Sequence, residues 1–178
     1  VQFTGAVAQP SRDDFVTDAT IYGTYCVDAN TCYFVGSGGV ILKTIDGGTS
    51  FTTQTSGTAY DLKSISCKTN AGVDTCYAVG KNGTIIKTGN SGVNWSSQTS
   101  GITNNLNGVH FIDESVGYAV GSGGKILKTI NGGTNWSAQT SGTTDNFYGV
   151  YAASDNLNAY AVGQMARIQA TTNGGANW

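Results

Sequence analysis

The sequence is poor in charge and has no long hydrophobic run. Of its 178 residues only 11% are charged, and the formal net charge is −2. A protein that binds nucleic acid by neutralising phosphates needs a basic surface, so a nucleic-acid partner is disfavoured. No apolar run reaches the about 18 residues that a transmembrane helix requires, and we therefore expect no membrane span.

Residues that support common catalytic sites are also scarce. The chain has two arginines, Arg12 and Arg167, a single glutamate, Glu114, and a single histidine, His110. A sialidase-type site needs three arginines and a Tyr–Glu pair, and a Ser-His-Asp triad would depend on His110, which falls at a variable strand position. A glycosidase with two carboxylates stays open, although Asp113 and Glu114 are neighbours in one turn. We expect no catalytic residue, no metal and no cofactor.

Glycine is abundant, and the apolar residues fall in short runs. Twenty-six glycines and one proline accompany 39% hydrophobic residues, and Gly, Asn, Asp, Ser and Thr separate the apolar runs. This pattern is typical of many short strands joined by tight turns, and no long segment shows helical periodicity. The sequence predicts an all-β protein.

A Tyr-x-Val-Gly element recurs four times. It begins at Tyr33, Tyr77, Tyr118 and Tyr160, with spacings of 44, 41 and 42 residues. A period near 42 with about four strands per unit is typical of a β-propeller blade. We predict four consecutive four-stranded blades at about 21–60, 61–101, 102–142 and 143–178, after an N-terminal segment 1–20. Their inner strands are expected at 21–26, 62–67, 106–111 and 147–152.

One eight-residue turn is also repeated four times, and TINGGTNW at 129–136 is its fullest form. Its Asx side chain can accept backbone N–H groups and its glycine supplies a positive φ, so the turn is expected to hold a hairpin rather than to catalyse a reaction. The final aromatic ring is expected to fold over the turn and be buried between strands. The structural residues of the four turns are Asp46, Gly48, Phe51, Asn90, Gly92, Trp95, Asn131, Gly133, Trp136, Asn173, Gly175 and Trp178.

This turn resembles the Asp-box of the bacterial neuraminidase (BNR) repeat. The longer pattern L-x-x-V-x-F, G-Y-A-V-G, G-x-I-L-K-T and N-G-G-x-x-W resembles the photosystem II assembly and stability factor-like family of Asp-box propellers, over residues 21–178. The pattern is looser in the fourth unit, where ARIQA at 166–170 replaces GKILK. The resemblance implies a non-enzymatic propeller of a lumen, the periplasm or the cell exterior that binds other proteins. The arginine-rich patch of the photosynthetic members has no counterpart here.

The four cysteines flank corresponding hairpins in the first two units. Cys26 and Cys32 lie across one hairpin, and Cys67 and Cys76 lie across the next. This placement predicts the disulfides 26–32 and 67–76, whereas the spacings of six and nine residues and the single histidine disfavour a metal site. Paired disulfides indicate an oxidising compartment, so we expect an extracytoplasmic protein.

The variable residues are expected on the side of the propeller opposite the Asp-boxes. Aromatic side chains among small polar ones are typical of a binding surface, although plain solvent-exposed loops would look the same in sequence. The candidate binding residues are Tyr22, Tyr60, Lys63, Lys81, Asn107, Tyr148 and Gln164.

The predicted function is a non-catalytic extracytoplasmic scaffold or assembly module with a protein partner. The alternative is a glycan-binding or glycan-hydrolysing propeller. The fourth unit stops before an outer strand, while Gln2 and Gly5 match the Q-x-x-G frame of the other outer strands. The ring could close within one chain, through self-assembly of copies by way of the incomplete fourth blade, or in a longer propeller. The last two are favoured over closure within one chain, since a four-bladed ring is tightly curved.

Overall fold

The structure is a computed structural model that describes residues 18–178, and these form four antiparallel sheets in chain order. Sheet one contains β1 (Ile21–Cys26), β2 (Cys32–Gly36), β3 (Ile41–Thr44) and β4 (Thr52–Gln54). Sheet two contains β5 (Leu62–Asn70), β6 (Val73–Gly80), β7 (Ile85–Thr88) and β8 (Ser96–Gln98). Sheet three contains β9 (Leu106–Phe111), β10 (Gly117–Gly121), β11 (Ile126–Thr129) and β12 (Ser137–Gln139). Sheet four contains β13 (Phe147–Ala152), β14 (Ala159–Gly163) and β15 (Ile168–Thr171).

The sheets are the predicted propeller blades, with one difference in strand length. The fourth blade has three strands within the described residues, in agreement with the expectation that the given sequence stops before its outer strand. In the second blade, β5 runs to Asn70 rather than ending at residue 67. The Thr69 hydroxyl donates to Asp74 across this longer hairpin at 2.7 Å, which extends the pairing beyond the repeat. The predicted inner strands 21–26, 106–111 and 147–152 are confirmed.

The blades pack side by side through their inner strands, β1 against β5, β5 against β9 and β9 against β13. We call the side of a blade that faces the next blade in the chain its forward side, and the opposite side its rear side. Three apolar cores lie between successive blades. In the second of them, Tyr77, Val79 and Ile85 of the forward side of blade two meet Leu106 and its neighbours on the rear side of blade three. The core of this fold is therefore a series of junctions rather than one central cluster.

The turns lie on two opposite faces of this array. On one face, the box backbone contacts the turn between the first and second strands of the same blade, as in the hydrogen bond of 2.8 Å from Gly132 N to the Ser115 carbonyl. We call it the box face. On the other face, the turn between the second and third strands contacts the segment that enters the blade, as in the bond of 2.9 Å from Lys81 N to the Asp61 carbonyl. We call it the loop face.

Both predicted disulfides are present, and their surroundings differ. Cys26–Cys32 joins the first hairpin and Cys67–Cys76 joins the second, each with a Cα–Cα distance of 4.0 Å. Cys67 and Cys76 are buried in the core between blades one and two, whereas Cys26 is exposed. The second disulfide thus contributes to a junction core, and the first lies at the surface.

No helix between residues 18 and 178 has the length and apolar character needed to cross a membrane. The predicted outer-strand tail at residues 1–5 lies outside the described residues, as does most of the N-terminal segment 1–20.

Candidate functional site

The Asp-box is the most repeated feature of the chain, and its hydrogen bonds hold the hairpin. In blade one, the Asp46 Oδ1 atom accepts the Ser50 N–H at 2.9 Å and the Thr44 hydroxyl at 2.8 Å. The Thr44 hydroxyl oxygen also accepts the Gly48 N–H at 2.9 Å. The other three boxes repeat this arrangement with Asn90, Asn131 and Asn173. The box oxygens therefore accept hydrogen bonds from the backbone and side chains of their own turn, as a hairpin-holding turn requires.

Hydrogen bonds also keep the Asp46 carboxyl group of the first box ionised. The Ser50 hydroxyl donates to Asp46 Oδ2 at 2.6 Å. These bonds, with the Ser50 hydroxyl as the largest contribution, lower the pKa of Asp46 to about 2. A carboxyl group with this pKa is ionised at neutral pH and cannot supply a proton to a substrate.

Trp136 and Trp178 lie over the glycines of their own turns, as expected, and the three box tryptophans also pack against the preceding blade. The Trp95 Nε1 atom donates to Gln54 of blade one at 3.1 Å. The Trp178 ring lies edge-on to Tyr118 of blade three, with 5.8 Å between ring centroids. The tryptophan therefore joins two blades in addition to closing a hairpin.

A lysine on the third strand of each of the first three blades binds the box of the next blade. The ammonium groups of Lys43, Lys87 and Lys128 donate to the backbone carbonyls of Ser91, Gly132 and Gly174 at 2.8, 2.9 and 2.6 Å. The sequence analysis assigns these lysines no role, although their recurrence in the ILKT and IIKT segments indicates a shared function in the repeat. Blade four has Ala170 at this position.

The loop face carries a compact group of charges at the start of blade two. The Lys63 ammonium lies over the Tyr22 ring, 3.3 Å from its centroid. Asp61 accepts from Lys81 at 2.7 Å and from Lys63 at 3.4 Å, and its second oxygen accepts the Gly38 N–H. We call Tyr22, Asp61, Lys63 and Lys81 the lysine cluster. It has two cations for one anion, so its net charge is positive.

The other predicted binding residues lie elsewhere on the loop face. Asn107 donates to the Phe147 carbonyl at 2.7 Å and so joins the inner strands of blades three and four. Its neighbour across the junction, Tyr148, is 57% exposed. Gln164 lies exposed in a turn of blade four. The structure therefore brings together Tyr22, Lys63 and Lys81, and it separates Gln164 from them by two blades.

A cleft of 900 Å³ opens between the segments that enter blades two and three, and it adjoins the lysine cluster because its lining residues Tyr60 and Asn82 directly precede Asp61 and follow Lys81 in the chain. Tyr60 lines it and is 49% exposed. Trp95 and Gln98 lie on its wall, and Lys125 contributes a cation from blade three. Neither Lys125 nor Gln98 was singled out from sequence, because the cleft depends on how separate blades face one another.

Two carboxyl groups of the loop face, those of Asp61 and Asp145, are kept ionised by their hydrogen-bond partners. Hydrogen bonds, with Lys81 first and the Gly38 N–H second, lower the pKa of Asp61 to about 2. The Arg167 side chain binds Asp145 at 2.6 Å and lowers the pKa of that carboxyl. A general acid needs a raised pKa, so neither group suits the acid role of a glycosidase.

His110 has a structural partner as well. Its Nδ1 atom accepts the Ala152 N–H at 3.2 Å, across the junction between blades three and four. Burial lowers its pKa, with a smaller contribution from Lys68. The nitrogen that a base would use is thus occupied by a backbone bond, which agrees with its interpretation as a variable strand residue.

Residues 93–178 match the sequence profile of the family described as photosynthesis system II assembly factor YCF48. The resemblance to the photosystem II assembly and stability factor-like family is confirmed. A solved structure of YCF48 bound to D1 peptide superposes on this chain with a TM-score of 0.72 and 20% identity, covering 92% of this chain and 53% of that one. YCF48 from Cyanidioschyzon merolae gives a TM-score of 0.69 at 19% identity and covers 92% and 56%.

A glycoside hydrolase also shares the fold. The GH74 enzyme of Niastella koreensis superposes with a TM-score of 0.65 and 20% identity over 83% of this chain and 28% of that one. No curated protein matches the chain by sequence. The chain spans about half the length of the two YCF48 structures. The structural comparisons therefore establish the propeller fold, and the activity of a whole protein stays a matter for proposal.

Proposed function

We propose that this chain is a non-catalytic propeller that binds a segment of another protein on its loop face. The observation that carries the proposal is the lysine cluster beside the cleft, where exposed aromatic rings adjoin cations on an otherwise small and polar surface. Tyrosines and cations of this kind are enriched in protein interfaces and contribute much of their binding energy. The solved complex of YCF48 with D1 peptide supports a peptide segment as the ligand class.

The net charge of the cluster indicates which segments would bind. Asp61 neutralises one of the two lysines, which leaves one cation to attract a partner. An acidic peptide with an aromatic or aliphatic anchor would place its carboxylates near Lys81 and Lys63 and its apolar side chain against Tyr60. Complementary charge raises the association rate and makes binding sensitive to salt.

The second candidate function is glycan binding or hydrolysis, since the GH74 enzyme shares the fold. Hydrolysis is disfavoured because Asp61 and Asp145 are paired with cations and have lowered pKa values. Glycan binding needs only exposed aromatic rings, and Tyr60 and Tyr148 supply two.

Two finer predictions belong to this proposal. The disulfides favour an extracytoplasmic location, where thiols are oxidised. Association of copies through the fourth blade is proposed as a further property of the scaffold.

A peptide selection tests the proposal with a defined probe. Random peptides displayed on phage are selected against the chain, and the best binders are synthesised and titrated calorimetrically. We expect acidic, aromatic-containing peptides whose affinity falls at least about tenfold in the Tyr60→Ala/Lys81→Ala variant, which corresponds to about 1.4 kcal/mol. The control is Val93→Ala, which is 77% exposed on the box face and should change nothing.

Two results would reject the peptide function. Selected peptides that bind the double variant and the Val93→Ala control equally well would place binding elsewhere. Binding or cleavage of xyloglucan oligosaccharides, the substrate named for a GH74 xyloglucanase of Xanthomonas campestris that shares the fold, with no peptide selected, would establish the glycan alternative.

A further inference from the structure

The cleft between the segments that enter blades two and three has one charged residue in its lining. Among residues 18–178 that residue is Lys125, and no carboxylate lines the cleft. The other lining residues are small or polar, apart from Tyr60, Trp95 and two isoleucines. Blades two and three each have a neighbouring blade on both sides, so the cleft belongs to the interior of the array. A single cation in an otherwise neutral cleft attracts an anion.

Lys125 has no partner for its charge within the described part of the chain. Its ammonium group makes no hydrogen bond and no ion pair there, although the residue is half-buried. The two lysines of the lysine cluster, Lys63 and Lys81, instead bind Asp61. The loop-face arginine, Arg167, is also paired. Lys125 is therefore the loop-face cation that stays available to a ligand.

Blade four shows which group fits beside this position. The residue directly before the third strand is Lys125 in blade three and Arg167 in blade four. Arg167 binds Asp145 of its own blade, with 2.6 Å between Nη2 and Oδ2. A cation at this point of the repeat is thus placed to bind a carboxylate.

Blade three has an amide where blade four has this carboxylate. Asn105 and Asn146 are equivalent residues, because each accepts a backbone N–H group from the turn of the preceding blade, at 3.1 and 2.9 Å. The residue before Asn146 is Asp145, and the residue before Asn105 is Asn104. Asn104 lines the cleft, as Lys125 does. Lys125 is therefore the counterpart of a paired arginine, in a blade that does not supply the carboxylate.

We propose that Lys125 is the carboxylate-binding residue of the cleft, and that an acidic side chain of the bound peptide takes the place that Asp145 has beside Arg167. This inference rests on the proposed peptide-binding function and names a residue that decides which peptides bind. A hydrogen bond between an ammonium group and a carboxylate is stronger than a neutral one, so a peptide without the acid is disfavoured.

The position of Lys125 also indicates how the acids of the peptide are arranged. Asn82, which follows Lys81, lines the blade-two side of the cleft, and Lys125 lines the blade-three side. A segment that crosses the cleft meets one cation on each side. We therefore expect the selected peptides to carry two acidic residues that are separated in sequence.

A double-mutant cycle measures the contact. The probe is the tightest-binding peptide of the phage selection, synthesised with each acidic residue in turn replaced by its amide. Lys125→Met should bind the acidic peptide about five- to tenfold more weakly, and replacing the contacting acid should then cause no further loss. Lys125→Arg should retain most of the affinity, because arginine binds a carboxylate at this position of blade four.

Lys68→Met is the matched control. Lys68 also has no hydrogen bond or ion pair among residues 18–178, and it lies on the box face beside the turn between the first and second strands of blade three. Loss of the same charge there should leave the peptide affinity unchanged, which separates a contact with Lys125 from a general effect of net charge. Circular dichroism spectra verify that both variants are folded.

Asn104→Asp tests the comparison between blades without removing the lysine. It places a carboxylate where blade four has Asp145, so Lys125 becomes paired within the chain. We expect the acidic peptide to bind at least about fivefold more weakly, whereas the amide form that lacks the contacting acid should bind as it does to the unmodified chain. Equal affinity of the acidic peptide for both proteins would contradict the proposal.

The remaining outcomes separate this inference from the proposed function. A peptide that needs Tyr60 and Lys81 but binds Lys125→Met unchanged would leave the peptide function intact and reject the role of Lys125. If no peptide is selected, both fail together. Trigalacturonate, a glycan that carries carboxylates, is titrated in parallel. If Lys125→Met loses its binding while peptide binding is unaffected, the carboxylate belongs to a glycan and the proposal is wrong.

Discussion

The junction between blades two and three and the forward side of blade four have the same kinds of residue, yet one is core and the other is surface. Tyr77 is fully buried, and Tyr160 at the same repeat position is 47% exposed. The difference does not come from the blade's own sequence, since both carry Tyr-Ala-Val-Gly. It comes from the presence of a neighbouring rear side. In this repeat, stability is a property of pairs of blades.

The largest effect should come from truncating a junction tyrosine. Tyr77→Ala removes a ring stacked on Phe111 and should lower the free energy of unfolding by about 3–5 kcal/mol, while Tyr160→Ala should cost less than about 0.5 kcal/mol. Both variants are compared with the unmodified chain by urea denaturation under the same conditions. Equal losses would contradict the view that the junction buries the tyrosine.

The two disulfides provide the next comparison. Each closes a short loop and should contribute about 2–3 kcal/mol by the chain-entropy estimate. Cys67 and Cys76 are buried in a junction, whereas Cys26 is exposed, so a reductant should reach the first-blade bond sooner. Limited treatment with dithiothreitol, alkylation and peptide mapping should label Cys26 and Cys32 first. Simultaneous labelling of all four cysteines would mean that the junction opens as readily as the surface hairpin.

The lysine that links a blade to the next box should have a smaller effect. Lys87→Met keeps most of the apolar stem and removes the bond to the Gly132 carbonyl, which should cost about 1 kcal/mol. Lys125→Met is the matched control, because the Lys125 ammonium makes no hydrogen bond among residues 18–178 and its replacement should be near neutral. Unfolding midpoints in urea distinguish the two variants. Identical midpoints would mean that the Lys87 bond makes no net contribution to the free energy of unfolding.

Features of single hairpins could be predicted from the sequence. Strand periodicity, the Asp-box and both disulfides follow from local spacing, because a turn residue and its bonding partner are a few positions apart. The Asp46 bonds to Ser50 are an example.

Features of blade pairs could not be predicted in the same way. The bond from Lys43 to the Ser91 carbonyl spans 48 residues, and the lysine cluster joins side chains of blades one and two. Such contacts depend on the angle and offset between blades, which the repeat pattern does not encode residue by residue. The extension of β5 to Asn70 was also missed, because it is absent from the other blades.

The smallest expected effect concerns the one box that uses a carboxylate. Asp46 has a pKa of about 2 in the folded chain, against about 3.9 for an unperturbed aspartate. A folded pKa below the unfolded one means that ionised Asp46 stabilises the fold at neutral pH. That contribution is lost as the pH falls from about 4 to about 2. Asp46→Asn should remove this acid-dependent part and keep the hairpin, since Asn131 holds the same bonds in blade three.

The measurement is the melting temperature of the chain and of Asp46→Asn between pH 7 and pH 2. The unmodified chain should be the more stable near neutrality, and the difference should shrink across the window between about 4 and 2. Asn131→Asp is the converse variant and should acquire a similar but weaker pH dependence. Its box has Asn135 where blade one has Ser50, and the Ser50 hydroxyl is the largest cause of the lowered pKa of Asp46. A constant difference between the unmodified chain and Asp46→Asn at every pH would show that the box does not distinguish a carboxylate from an amide.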